Sequence, residues 1–315
     1  MSSLVRGLHH VTAIAASAQR NFDFYTNILG LRFVKKTVNF DDPHTYHLYY
    51  GNAHAEPGSI LTFFPWAGLP RGRRGVGQAT EIMFAVPETA LPFWIEHFEK
   101  LNVTYNKPTR RFDEEYITFF DPDGLKLQLV ATRNDTRTPA PHPAVPESAA
   151  IFGFYGVALT VTTSEQTVRL LTEVLDYDVS LQHVNTLRLA SRLSSTAAVV
   201  DVVAVPDEHH ALNGAGTVHH VAFRVANDTD EMALREQLVE RGLNVTPQID
   251  RNYFHSLYFR EPGGILFEIA TDNPGFTVDE PMDALGTALK LPAQYESRRA
   301  EIEAVLPHLS TTAAQ

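Results

Sequence analysis

Two histidine pairs and one glutamate are the residues of this chain best suited to chemistry. His9 and His10 stand in GLHHVT, and His219 and His220 in GTVHHVAF, more than 200 residues later. Both stretches read as hydrophobic strands, in which successive side chains alternate between faces. In the later strand His219, Val221, Phe223 and Val225 share an apolar face, and His220 falls with Val218, Ala222 and Arg224. In the earlier one His10, Thr12 and Ile14 lie opposite His9, Val11 and Ala13. The second histidine of each pair is therefore expected to face an interior cup. In the last hydrophobic strand, ILFEIA, Glu268 shares its face with Leu266 and Ala270. An ionised carboxylate among apolar neighbours is costly without a partner, and a divalent metal would supply one. Two imidazoles and a carboxylate make the facial ligand set of non-haem iron(II), which leaves positions open. His10, His220 and Glu268 are the expected metal ligands, for Fe(II) or, with the same donors, Mn(II).

Composition narrows the setting. The 315 residues include no cysteine, so thiolate sites and disulfides are excluded and any metal must be held by His, Asp or Glu. A net charge of −11 argues against nucleic acid as a partner. No apolar run reaches the length of a membrane span. The first residues, MSSLVRGLHH, lack the apolar core of a signal peptide. The expectation is a cytoplasmic protein without a membrane partner, with homo-oligomerisation open. The basic run Arg71–Arg74 reads as a solvated loop, with a lid or a subunit contact as the lesser readings.

The elements that must position the ligands recur four times. Each copy opens on a strand (GLHHVTAIA, TEIMFAV, FYGVALTV, VHHVAFRV), continues into a helical pattern, and returns as strands. In the third copy Thr163 and Gln166 are spaced as a capping box. Two closing hairpins, FFDPDGLKLQLV and YFREPGGILFEIA, share an acidic-Pro-x-Gly turn. The expected fold is α+β: four βαβββ modules forming two pseudo-symmetric half-open barrels. Residues 1–131 carry modules one and two, and 150–275 modules three and four. A Pro-rich linker spans 132–149 and a C-terminal extension 276–315. In that extension QYESRRAEIEAVLPHL reads as an amphipathic helix and the final STTAAQ as loose chain. The inner copies lack the ligand set: Ala79 and Thr80 in copy two and Tyr155 and Gly156 in copy three stand where the histidine pairs are expected, and Gln128 stands in place of Glu268. Modules one and four are therefore expected to share the metal-binding barrel.

At this point the chain resembles the vicinal oxygen chelate superfamily, and within it the iron(II) dioxygenases that open hydroquinones. The stretches that carry the likeness are LHHVT, GLRFVKKTV, YHLYY, the run from PRGRRG to GQ, TRNDTRTP, VHHVAF and DRNYFHSLYFREPGGILFE. The resemblance implies His10, His220 and Glu268 as ligands, and His9, Thr12, His219, Arg251 and Tyr258 as residues that contact substrate or support the ligands. It departs at His255, where an acidic residue is expected in the hydroquinone enzymes. The implied partners are a small aromatic diol and O2. Strand parity points His9 and His219 away from the cup, as supports or core residues as readily as proton carriers. His44, His47, His54 and His97 have no repeat-matched partner and rank lower, and His209 and His210 read as a turn. Two rival readings remain: a glyoxalase-like metal-dependent isomerase or lyase, and a metal-free small-molecule binding protein. The absence of a glutamate from SILTFFP weighs against the first.

Overall fold

The computed structural model describes residues 3–311. Residues 312–315, most of the STTAAQ tail, lie outside them. Module one comprises β1 (Leu8–Ala15), α1 (Ala18–Asp23), β2 (Arg32–Val38), β3 (Tyr46–Gly51) and β4 (Ile60–Pro65). Module two comprises β5 (Gln78–Pro87), α2 (Leu91–Lys100), β6 (Thr109–Arg111), β7 (Glu114–Phe120) and β8 (Lys126–Thr132). Module three has β9 (Gly153–Val161), α3 (Glu165–Glu173), β10 (Tyr177–His183), β11 (Thr186–Ser191) and β12 (Val199–Ala204). Module four has β13 (Thr217–Val225), α4 (Asp228–Glu240), β14 (Ile249–Asp250), β15 (Phe254–Arg260) and β16 (Leu266–Pro274). The extension adds short 3-10 turns and α5 (Arg299–Val305).

The strands form two eight-stranded sheets that curl into half-open barrels. One runs β14-β15-β16-β13-β1-β4-β3-β2 and the other β10-β11-β12-β9-β5-β8-β7-β6. Modules one and four thus share a sheet, joined where β1 meets β13 antiparallel; modules two and three share the other, joined where β5 meets β9. The outer apolar faces are covered by the helices. Leu8, Val11, Ala13, Val221, Phe223 and Phe267 pack in one continuous core with Phe22, Leu234 and Leu238 from α1 and α4.

The two closing hairpins have the same geometry. Asp121 N–H donates to Leu125 O and Gly124 N–H to Asp121 O; Glu261 and Gly264 repeat this with Ile265. Gly124 (φ +88°) and Gly264 (φ +93°) take the left-handed conformation that closes each turn, where a side chain would be strained. Local expectations were corrected in two places. Helix α3 has no capping box: Ser164, not Thr163, precedes its first turn, with its backbone already helical (φ −88°, ψ −21°) and no side-chain cap bond. The C-terminal segment is helical only in part, as a 3-10 stretch over Ala293–Arg298 before α5. The extension covers the β2 edge: Lys290 N–H donates to Lys36 O, and Tyr295 Oη donates to Phe40 O at 2.7 Å. The buried Lys35 ammonium anchors the extension through Asp279 and Glu280, each at 2.6 Å.

The Pro-rich segment is packed rather than free. The Arg137 guanidinium donates to Gly58 O in the turn between β3 and β4 and to Phe154 O on β9. The basic run is exposed but engaged. Arg71 donates to Pro122 O and Arg73 to His210 O, and their backbones bridge to Ala215 and Leu212. No described helix is long and apolar enough to cross a membrane.

Candidate metal centre and its cavity

Three adjacent strands bring the ligand candidates together. Thr12 of β1 pairs with His220 of β13, and Ala222 of β13 pairs with Glu268 of β16. His10, His220 and Glu268 consequently project from neighbouring positions on one concave face, with their donor atoms all within 4.8 Å of one another. His10 Nε2 lies 3.2 Å and His220 Nε2 2.9 Å from Glu268 Oε2. These are close approaches without the alignment of hydrogen bonds, and Glu268 Oε2 is buried with no hydrogen-bond partner. An orphaned carboxylate oxygen facing two imidazole nitrogens fits a divalent cation better than it fits the apolar surroundings. Burial opposes the charge on Glu268, and the facing His10 and His220 hold its carboxyl well below the usual carboxylate range only while their rings carry positive charge. Its other oxygen accepts from the Ser256 hydroxyl. Ser256 was not singled out from the sequence. The signal was available, since it shares its strand face with Tyr258.

Each candidate ligand histidine is bonded by the histidine that precedes it. His9 Nδ1 lies 2.9 Å from His10 Nδ1, and His219 Nδ1 lies 2.8 Å from His220 Nδ1. His9 Nε2 also sits 3.1 Å from the Thr271 carbonyl oxygen, which can only accept. Burial, then the adjacent His10, lowers the His9 pKa well below the ordinary value, so the ring is neutral. Its single proton is therefore on Nε2, and its Nδ1 accepts from His10 Nδ1–H. In the neutral, metal-holding form of His10 this leaves the lone pair on Nε2, which faces the cluster and lies 3.4 Å from His220 Nε2. His9 does not line the cavity in front of His10; it borders a small cavity behind it, with His54 and Tyr253. His219 does line the front cavity, its ring edge-on to Phe64. Burial, then His220, lowers its pKa to about 3.

The cavity in front of the cluster has a volume of about 320 Å³. Aromatic groups make much of its wall: Phe40, Tyr49, Phe64, Trp66, Phe254 and Tyr258. Arg251 Nε–H donates to Tyr258 Oη at 3.3 Å, and its guanidinium lies over the rings of Tyr258 and Phe40. Burial, then Glu268, raises the Tyr258 pKa, so this phenol keeps its proton. Thr12 is fully buried beside the cavity, its hydroxyl 2.7 Å from that of Thr62. His255 turns away from the cavity and bonds Asp228 at 2.5 Å, so the departure from the hydroquinone pattern lies outside the cavity wall. His47, ranked low for want of a repeat partner, lines the cavity with Tyr49. The signal missed was parity within YHLYYG, where the two share one face. Of the others, His44 is exposed, His97 bonds Ile28 O, and His210 pairs in a loop bridge with Val76. A larger open depression of about 1030 Å³ borders Arg71–Gly75 and Asp121–Gly124, and no metal-ligand cluster lies there among the described residues.

The second barrel corrects the alignment of the inner copies. Glu81, not Thr80, is the counterpart of His220: it pairs with Ala158 as His220 pairs with Thr12. The same register break lies between Ala79 and Glu81 as between Thr12 and Ala13 in the other seam, so β5 and β13 align without a gap, Gly77 with Gly216 and Thr80 with His219. Gly156 and Gln128 stand at the His10 and Glu268 positions. Arg111 reaches Asp201 at 3.0 Å and Gln128 at 3.3 Å, and Arg188 grips Asp201 through two bonds of 2.7 and 2.9 Å. Arginine side chains thus occupy the region of the second barrel that corresponds to the His10–His220–Glu268 cluster of the first.

Comparison with known proteins places this architecture. The model of the Glyoxalase/Bleomycin resistance protein/Dioxygenase superfamily matches residues 7–129 and 142–269. The chain belongs to that superfamily. Among curated members it is 43% identical over 303 residues, 96% of each chain, to "Putative ring-cleaving dioxygenase MhqO" of Bacillus subtilis. It is 37% identical over 308 residues, 95% of each chain, to chlorohydroquinone/hydroquinone 1,2-dioxygenase of Sphingobium indicum. A crystal structure of a "putative dioxygenase" from Bacillus subtilis superposes with a TM-score of 0.96 at 42% identity, covering 99% of this chain and 100% of that one.

Proposed function

We propose that this superfamily member is a non-haem iron(II) ring-cleaving dioxygenase that opens a hydroquinone or a related aromatic diol with O2. The observation that carries the reading is the orphaned Glu268 oxygen facing two imidazole nitrogens at the floor of an aromatic-walled cavity. The names of the curated relatives support the same chemistry. His10, His220 and Glu268 would hold the ion, with Mn(II) as the other metal their chemistry accommodates. When bound, iron(II) supplies Lewis acidity toward a phenolic oxygen and an electronic link to O2.

The chain's own residues supply orientation and proton handling. Arg251 holds an anionic oxygen of the substrate or of the ring-opened acid. Tyr258, kept protonated by burial, donates to an oxygen that gains charge. His219, neutral and on the cavity wall, takes or returns a proton. His9 fixes the orientation and tautomer of His10, and Thr12 acts through Thr62. The aromatic wall excludes water from the ring. The same reading takes 1–131 and 150–275 as the two module pairs, with 132–149 and 276–315 as connecting and covering segments. It sets the protein in the cytoplasm, with homo-oligomerisation open and with the diol and O2 as its partners.

Anaerobic reconstitution with iron(II), followed by oxygen uptake against a panel of hydroquinones and catechols, tests the proposal. Substrate-dependent uptake and a ring-opened acid are expected. No uptake with any diol, together with isomerisation of a thiol adduct, would replace it by the glyoxalase-like reading.

A further inference from the structure

The proposed chemistry leaves one polar wall of the cavity without a task. Tyr49 and His47 project from β3, on the other side of the sheet's curl from Arg251 and Tyr258 on the β14–β15 side. Tyr49 is fully buried and His47 nearly so. Tyr49 Oη lies 2.9 Å from His47 Nδ1, His47 Nε2 lies 2.8 Å from Thr62 Oγ1, and Thr62 Oγ1 lies 2.7 Å from Thr12 Oγ1. Four side chains from three strands therefore form one unbranched hydrogen-bonded row that begins at the cavity wall.

Every member of the row can both donate and accept. With one polarity, Tyr49 Oη–H donates to His47 Nδ1, His47 Nε2–H donates to Thr62, and Thr62 donates to Thr12. The Tyr49 oxygen then presents lone pairs to the cavity. With the other, Thr12 donates to Thr62, Thr62 donates to His47 Nε2, and His47 Nδ1–H donates to Tyr49. The Tyr49 hydroxyl proton is then free to point into the cavity. Both states hold the same four protons and no net charge, so the wall changes from acceptor to donor without ionising anything. Of the other polar groups near Tyr49, Asp41 is exposed and faces Arg251 at 3.7 Å, and the Asn39 side-chain Oδ1 accepts from the Asp41 backbone N–H.

We propose that Tyr49 is a substrate-contacting residue that binds the second oxygen of a 1,4-diol, and that His47 is the positioning residue that sets the polarity of its hydroxyl. The inference rests on the ring-cleavage reading, because it takes the first oxygen of the diol to sit at His10, His220 and Glu268. A 1,4-diol then directs its second oxygen toward the wall of the cavity, whereas a 1,2-diol keeps both at the ligand end. A phenolic hydroxyl is met by the acceptor state of Tyr49, and a carbonyl-like oxygen, as the ring loses aromaticity, by the donor state. A site built to bond one hydroxyl rejects the analogue that lacks it more strongly than apolar packing would.

The test is anaerobic calorimetric titration of the iron(II)-loaded protein with hydroquinone, phenol and catechol. The wild type is expected to bind hydroquinone at least about 10-fold more tightly than phenol, the range of one well-made hydrogen bond. Tyr49→Phe is expected to bring that ratio close to one by weakening hydroquinone alone, leaving phenol and catechol unchanged. His47→Phe, which leaves the tyrosine in place, is expected to lower the same ratio, a change that a purely structural role would not produce; it carries the test if Tyr49→Phe fails to fold. Unchanged ratios in both variants, or equal weakening of all three ligands, would overturn the assignment while leaving the ring-cleavage reading intact. Failure of the wild type to bind any of the three would overturn that reading and the inference with it.

Discussion

At the scale of single residues, the proposed ligand set rests on strand parity and on the cost of an unpartnered buried carboxylate. His220→Ala should lose the metal and turnover together, read by metal analysis of the dialysed protein. His9→Phe removes the acceptor that fixes the His10 tautomer without touching the cavity. It should weaken metal affinity by roughly 10–100-fold, measured by competition with a chelator. Retention of full affinity would show the His9 contact to be packing alone. Tyr258→Phe should keep the metal and slow the reaction by about 100-fold or more, as expected for a lost proton carrier. Co-loss of metal and stability would make Tyr258 structural instead. His10, His220, Glu268, Arg251 and Tyr258 were legible because a repeat, an alternation or a family motif marked them. His47 and Ser256 had only parity to mark them, His47 with Tyr49 on β3 and Ser256 with Tyr258 on β15, and no repeat or charge to single them out.

At the scale of elements, the hairpin turns were legible from their acidic-Pro-x-Gly composition, whereas the electrostatics of the turn depend on tertiary burial. Burial, opposed by the Leu125 backbone bond and reinforced by Asp123, raises the Asp121 pKa to about 6. A carboxyl whose folded pKa lies above its unfolded value binds more protons when folded, so its contribution falls as pH rises between the two values. Wild-type stability should therefore decline from about pH 4 to pH 6 through this group. Asp121→Asn, which keeps a carbonyl oxygen for the turn bonds, should flatten that slope and be more stable than wild type near neutrality by about 1–3 kcal/mol. Urea denaturation at pH 5 and pH 7 checks this; an unchanged slope would place the titration elsewhere. The ends of α3 and of the C-terminal segment were less legible. A cap pattern specifies a helix start only if the chain enters at that residue, and here Ser164 is already helical. The register of β5 is marked by Gly77, which precedes Glu81 by the same four residues that separate Gly216 from His220; aligning the hydrophobic runs alone slips by one residue and reverses strand parity.

At the scale of the whole molecule, one duplicated barrel has two interiors. Modules one and four enclose the His10–His220–Glu268 cluster, and modules two and three enclose an ion network of Arg111 and Arg188 around Asp201. Internal repeats made this architecture readable from the sequence, while the content of the second barrel required the true register. Breaking that network by Asp201→Ala leaves Arg188 buried without its bidentate partner. It should destabilise the protein by about 3–5 kcal/mol while leaving the metal content of the first barrel unchanged. Denaturation and metal analysis of the same sample would separate the two effects. The central claim concerns the first barrel, where oxygen must enter the product and not merely be consumed, because hydroquinones also oxidise to quinones. Mass spectrometry of the product formed by the iron(II)-loaded protein from hydroquinone under 18O2 is the most direct measurement. The account predicts a ring-opened acid carrying both labelled atoms, absent with His220→Ala. Unlabelled quinone as the sole product, or the same labelled acid from His220→Ala, would contradict it.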